Sequence, residues 1–181
     1  EHPDAHRRGH AEPAGTRLTQ IVRRTARRAH TLHIGSVGVH DDSAPDAQAL
    51  EQLLKVANEY PHAGIVGCKV LEWSDPSHVL EVGSSLTAIG TRYTGLERGE
   101  RDQGQHDVSG PVHSVSSVGM LIRRDVWNSL NGFSPELAHF RTDLDLCWRA
   151  WSFGNEVVVA PATASDVQLE PLSKAKEHFE A

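Results

Sequence analysis

From Val37 to Ala160 the chain alternates short apolar runs with helix-period segments, and this alternation confines it to a layered α/β fold. Val37–His40 reads as the end of a strand running into the turn Asp41-Asp42-Ser43-Ala44-Pro45-Asp46. Ser43 precedes Asp46 by three positions, the spacing of a capping box at a helix start. Ala47, Leu50, Leu53, Leu54 and Ala57 then recur at helical spacing until Pro61. Ala63–Val66 and Lys69–Trp73 predict a buried strand interrupted at Gly67, and residues 78–94 a hairpin turning near Gly90. Gly95–Pro111 is polar, Gly-rich and aperiodic, and long loops of this kind in compact domains tend to carry function. Val112–Ile122 predicts a strand, and Asp125–Leu130 a short helix stopped by Asn131-Gly132. Thr142–Trp151 predicts a helix and Val157–Ala160 a closing strand before Pro161. The expected fold is an α/β sandwich around a mixed, mostly parallel sheet.

This reading divides the chain into a head (1–36), a domain (37–165) and a tail (166–181). With 38% hydrophobic residues in 181, the chain can bury an ordinary core, which excludes disorder throughout. A formal charge of −6 argues against a general nucleic-acid binder. The charge is uneven. Up to residue 38, seven arginines against Glu1, Asp4 and Glu12 give +4, so the remainder carries −10. Leu18, Ile21 and Val22 mark one short amphipathic helix there. Such a head is either a basic arm for phosphate or an anionic membrane surface, or a poorly packed extension. His2, His6 and His10 have i, i+4 spacing, but Pro3 and Gly9 break the helix that would align them on a metal. No window reaches the ~18 apolar residues of a membrane span. Cys68 and Cys147 lie far apart without a CxxC, which fits a reducing, cytoplasmic setting, at the inner face of the plasma membrane if a parent protein associates with that surface.

Two acidic constellations carry the candidate chemistry. His40-Asp41-Asp42 lies at a strand's carboxyl end, where open α/β sheets place ligands, and adjacent carboxylates suit Mg²⁺ or Mn²⁺. The same two acids would equally complement the dipole of a following helix. The second is Thr142-Asp143-Leu144-Asp145-Leu146-Cys147-Trp148-Arg149. Thr142 and Asp145 have capping-box spacing, and Arg149 is placed to pair with Asp145 at i+4. Asp143 has Leu146 and Cys147 at i+3 and i+4, so it is the freer carboxylate. It is either a general base or a dipole-compensating acid. Trp127, Trp148 and Trp151 are expected in the core rather than as a platform for sugar stacking.

Three blocks, Gly119–Trp127, Leu130–Pro135 and Phe140–Ala150, resemble the second half of family 2 glycosyltransferases. In that family a strand ending in basic residues leads to a short helix, a Gly-Gly-Phe turn and an acidic helix start. The likeness continues upstream through Ile65–Leu71 to His40–Pro45, where the family keeps a metal-binding Asp-x-Asp whose first position is here His40. Thr142 stands where the family has the first acid of its Glu-Asp pair. The loop Gly99–Asp107 is similar to that of a subgroup of large actinobacterial members.

The resemblance implies a GT-A-type fold, partial because the head is short for the family's N-terminal nucleotide-binding half, and an inverting sugar transferase, of the kind used in cell-wall polysaccharide synthesis. Its partners would be a nucleotide-diphosphate sugar donor and a glycan or lipid-linked acceptor, with no nucleic acid. Its cofactor would be a divalent metal, Mg or Mn, on Asp42 helped by Asp41. Asp143 would be the catalytic base. Ser116, Ser117 and Gly119 would line the cleft floor, with Asp145 and Arg149 also on the substrate side. A non-catalytic binding domain of the same fold, and a metal-dependent phosphohydrolase using the same acids, are the alternatives.

Overall fold

The structure, a computed structural model, describes residues 34–39, 43–46, 48–137 and 141–167, with side chains described for 46, 48–137 and 141–160. The short helix and histidines of the head, His40, Asp41, Asp42 and the tail beyond Val167 lie outside the described residues.

A sheet of seven strands forms the centre, with order β1 (Ile34–Val39), β8 (Gly119–Arg123), β3 (Ala63–Glu72), β9 (Glu156–Val167) and β2 (Ser43–Pro45). β4 (Val79–Glu81) pairs with the far end of β3, and β7 (Gly110–Pro111) with β9. β5 (Ser85–Leu86) and β6 (Arg92–Tyr93) form a separate hairpin, as expected around Gly90. The sheet is mixed, but β3–β9 is its one parallel pairing among the described residues. The expectation of a mostly parallel sheet is therefore corrected. Alternation of strands and helices suggests parallel neighbours, whereas β8 runs antiparallel between β1 and β3. The sheet includes Ile34, ahead of residue 37, and Val167, beyond residue 165.

β3 fixes the layering. Its residues 63–70 are all buried, so both faces of the strand are covered. Val66, Cys68 and Val70 face α1 (Ala49–Glu59) through Leu53 and Val56. Ile65 faces the other way, with Met120, Ile122 and Val157, toward Val126 and Leu130 near α2 (Arg124–Ser129) and Leu146, Cys147 and Ala150 of α3 (Thr142–Ser152). Gly67 does not interrupt this strand. A Cβ there would sit 2.2 Å from the Cβ of Val115, so glycine is what lets the 112–118 segment cross the sheet. That crossing also explains why the predicted 112–122 strand forms only from Gly119.

Three further local expectations are corrected. Ser43 stands in β2 and caps no helix; α1 starts at Ala49, where Asp46 Oδ1 accepts the Gln48 N–H at 2.7 Å. β9 continues past Pro161, because a register shift between the Cys68–Ala160 and Lys69–Ala164 pairs removes the proline from the ladder. Thr142 is the first residue of α3 rather than its cap; that place belongs to Arg141, at φ 55 with no side-chain cap bond.

The long loop is pinned to the sheet. Lys69, only 5% exposed, donates to Asp107 at 2.7 Å and pairs with Asp102 at 2.6 Å. Burial lowers the Lys69 pKa, but the two carboxylates outweigh it and the net shift is upward. For Asp102, burial pushes upward, and the Lys69 and Gly104 hydrogen bonds more than reverse it. Inside the loop, Glu100 accepts from Gln105 and the Glu97 N–H and bonds His106, which holds its pKa at about 2. The clasp is thus weakened at both ends of the pH scale. Lys69, raised in the folded state, stabilises fully below its ordinary 10.5, and that contribution is lost as pH rises through the folded value. Asp102 and Glu100, lowered from 3.8 and 4.5, stabilise above those values and lose that contribution as pH falls through the folded ones. Amide exchange at Gly104 and Asp107, corrected for intrinsic rates, is expected to rise before exchange in β3 as the pH approaches about 2. In Lys69→Met it is expected to be fast already at neutral pH. Protection in Lys69→Met equal to that of the parent chain contradicts the clasp.

Candidate active site

The first turn of α3 is the meeting point of the acidic motif with three other parts of the chain. Asp143 is half-buried there, and its Oδ1 accepts the Leu144 N–H at 2.8 Å. One turn on, Cys147 is fully buried with its Sγ 3.9 Å from the Val115 carbonyl oxygen. That contact seats α3 on the segment leading to Ser116 and Ser117. Both serines are half-buried, and Ser116 Oγ accepts the Val118 N–H at 3.3 Å. Gly119 is buried at the start of β8, in register with Val39, the last residue of β1.

Sequence reasoning missed the charges that face Asp143. Glu81 ends β4 nine-tenths buried, ion-paired to Arg92 of β6. Its Oε1 has no hydrogen-bond partner among the described residues. Arg92 Nε donates to Ser84 Oγ at 3.1 Å, and Ser84 and Ser114 share a 2.6 Å hydroxyl contact. Burial pushes the Glu81 carboxyl upward, Arg92 offsets part of this, and the charge of Asp143 adds to it. For Arg92 burial acts downward, but Glu81 and then Asp143 turn the net shift upward. Burial drives the Cys147 thiol up to about 12, which makes it a packing residue rather than a nucleophile. The legible signal for Glu81 was its place in Val79-Leu80-Glu81, where strand alternation puts it on the buried face with Val79.

Asp145 behaves differently from its neighbour. Its Oδ2 accepts from Arg149 Nε at 2.9 Å and Nη2 at 2.6 Å, the pair expected from i+4 spacing. Arg149 also donates to the carbonyls of Leu130 at 2.7 Å and Gly132 at 2.9 Å. Four of its five N–H groups are thereby engaged, and they clamp α3 to the turn after α2. Gly132 is held in that turn at φ +68, with Trp127 2.8 Å from where a Cβ would lie. Trp127 is half-buried and meets Phe133 edge-on at 5.4 Å, consistent with the core role expected for it. Trp148 and Trp151 depart from that expectation. They are 60% and 37% exposed, because Leu146, Cys147 and Ala150 occupy the sheet-facing stripe of α3.

Among the described residues no group of three or more His, Cys, Asp or Glu could hold a metal ion. Asp41 and Asp42 lie outside them, between β1, which ends in register with Gly119, and β2, which begins in register with Val167. Nor is any helix among the described residues long and apolar enough to cross a membrane.

This mixed sheet, with an acidic helix start facing a hairpin, has the GT-A fold of glycosyltransferases. The crystal structure of GalNAc-T7 with UDP, GalNAc and Mn²⁺ superposes with a TM-score of 0.55 at 8% identity, over 83% of this chain. The chain spans 30% of the length of that protein. By sequence, the family described as Glycosyltransferase like family 2 matches residues 9–179, and the chain belongs to that family. No curated protein matches it significantly.

The clamp gives a direct test. Arg149→Lys keeps the charge but loses the fork that reaches Asp145 and two carbonyls, and is expected to cost about 2 kcal/mol of stability. Chemical denaturation measures this, and an unchanged midpoint contradicts the clamp.

Proposed function

We propose that the chain is the catalytic part of an inverting glycosyltransferase that moves a sugar from a nucleotide diphosphate to a hydroxyl of a glycan or lipid-linked acceptor. The observation that carries this is the division of labour in α3: Arg149 occupies Asp145, while Asp143 stays at the helix mouth facing Arg92 and Glu81. Family membership and the fold support transfer of a glycosyl group.

In this reading Asp143 accepts the proton of the acceptor hydroxyl. The acceptor oxygen forms its bond to the anomeric carbon from the face opposite the donor phosphate. The bond from that carbon to the phosphate oxygen breaks, and the electron pair leaves with the nucleotide diphosphate. Arg92 supplies a positive charge near Asp143 and the buried Glu81. Ser116, Ser117 and Gly119 form the floor on which donor and acceptor meet. Asp42, aided by Asp41, is the proposed holder of a divalent ion, whose chemistry is to offset the charge of the diphosphate. The Mn²⁺ and UDP bound by GalNAc-T7 support the metal and the donor class. Association with a membrane surface would come through a parent protein.

Release of nucleotide diphosphate from UDP-, GDP- and dTDP-sugars, with glycan acceptors and Mn²⁺ present, tests the roles. Asp143→Asn is expected to lower turnover by at least about a hundredfold, the lower end of general-base contributions, with unchanged melting. Asp42→Ala is expected to remove the Mn²⁺ dependence. Near-normal turnover in Asp143→Asn contradicts its role as base.

A further inference from the structure

Beside the candidate active site, α3 and the β5–β6 hairpin enclose a groove of about 290 Å³ lined by Leu86, Gly90, Leu137, Leu144 and Trp148, with Arg141 and Asp145 on its wall. We infer that this groove holds one pyranose ring of the acceptor glycan, stacked on the indole of Trp148. The inference rests on the transferase reading above and names the acceptor's chemistry.

Size, lining and position each select this occupant. The volume is at the small end of ligand clefts, about 300–1,000 Å³, so it suits a single ring rather than a whole nucleotide sugar. Trp148 is 60% exposed although it is the largest side chain on α3 to face the groove. Together with Leu86, Leu137 and Leu144 it makes a concave apolar surface that matches the C–H face of a pyranose. A lipid tail would leave Arg141 and the Oδ1 of Asp145 against hydrocarbon, whereas sugar hydroxyls satisfy both. Arg141 can only donate, and Asp145 can only accept. Both Arg149 bonds fall on Oδ2 of Asp145, which leaves Oδ1 for a hydroxyl.

The groove shares both of its walls with the proposed reaction centre. Leu144 follows Asp143 directly, and Gly90 precedes Arg92 by two residues across the hairpin turn. Trp148 lies five positions along the helix from Asp143, about 7.5 Å of axial rise. Around the helix the two residues are about 140° apart, so a ring on Trp148 lies on the flank of the first turn, one turn from Leu144, and the adjoining sugar reaches the helix mouth past Leu144.

Saturation-transfer NMR on the full chain, with methyl glycosides of glucose, galactose, mannose, rhamnose and N-acetylglucosamine, tests the site. At least one glycoside is expected to show saturation of its ring C–H protons. Trp148→Leu is expected to weaken that binding about tenfold, while Trp148→Phe retains most of it. Arg141→Gln is expected to weaken it as well, and its binding carries the test if Trp148→Leu fails to melt cooperatively. Binding of UDP, GDP or dTDP with Mn²⁺, measured on the same samples, is expected to be the same in all variants. No bound glycoside, or equal binding in Trp148→Leu or Arg141→Gln and the parent chain, overturns the groove assignment. Nucleotide binding without glycoside binding overturns the groove alone. Glycoside binding without nucleotide binding overturns the transferase reading and retains a sugar site.

Discussion

The burial of β3 on both faces is the constraint from which the remaining architecture follows. A strand covered on both sides needs a helical layer on each, and the chain supplies α1 to one face and α2 with α3 to the other. The face toward α3 is also where Gly67 removes its side chain to admit Val115. Val115 in turn receives the thiol of Cys147, one turn after Asp143. The position of the candidate base thus depends on a missing side chain in the central strand, through two packing contacts.

Among the described residues the buried charges follow a simple rule: Lys69, Arg149 and Glu81 each have a charged partner, and Glu81 keeps one buried oxygen without a hydrogen bond. Lys69 is compensated by Asp102 and Asp107, which fix the long loop. Arg149 is compensated by Asp145 and fixes α3. Glu81 is compensated by Arg92 through one oxygen only. Removing one partner of such a pair costs more than the pair itself contributes, which makes these contacts determinants of where the loop, the hairpin and α3 sit.

Much of the fold was legible because its signals are local. The helix from Ala49 to Glu59 follows from apolar spacing, and the α2 stop follows from Asn131-Gly132 at positive φ. The Asp145–Arg149 pair was equally readable, being a matter of i+4 spacing. What could not be read were properties that depend on distant segments. Whether β8 runs with or against β3 is set by chain path rather than by any residue in it. Glu81 and Arg92 come within electrostatic range of Asp143 only because the hairpin lies beside α3, and Trp148 is exposed because smaller neighbours filled the inward stripe. Capping was misassigned at both helices for a related reason. The Ser43–Asp46 and Thr142–Asp145 spacings are necessary for a capping box, but β2 claims Ser43 and the left-handed Arg141 takes the place of Thr142.

The claim on which the account turns is that the mouth of α3 belongs to a site that accepts a nucleotide diphosphate. Calorimetric titration of the unaltered chain with UDP, GDP and dTDP, with and without Mn²⁺, measures this most directly. The account predicts saturable heat for at least one nucleotide, present with Mn²⁺ and lost when the metal is chelated. Absence of binding by all three with Mn²⁺ present contradicts it.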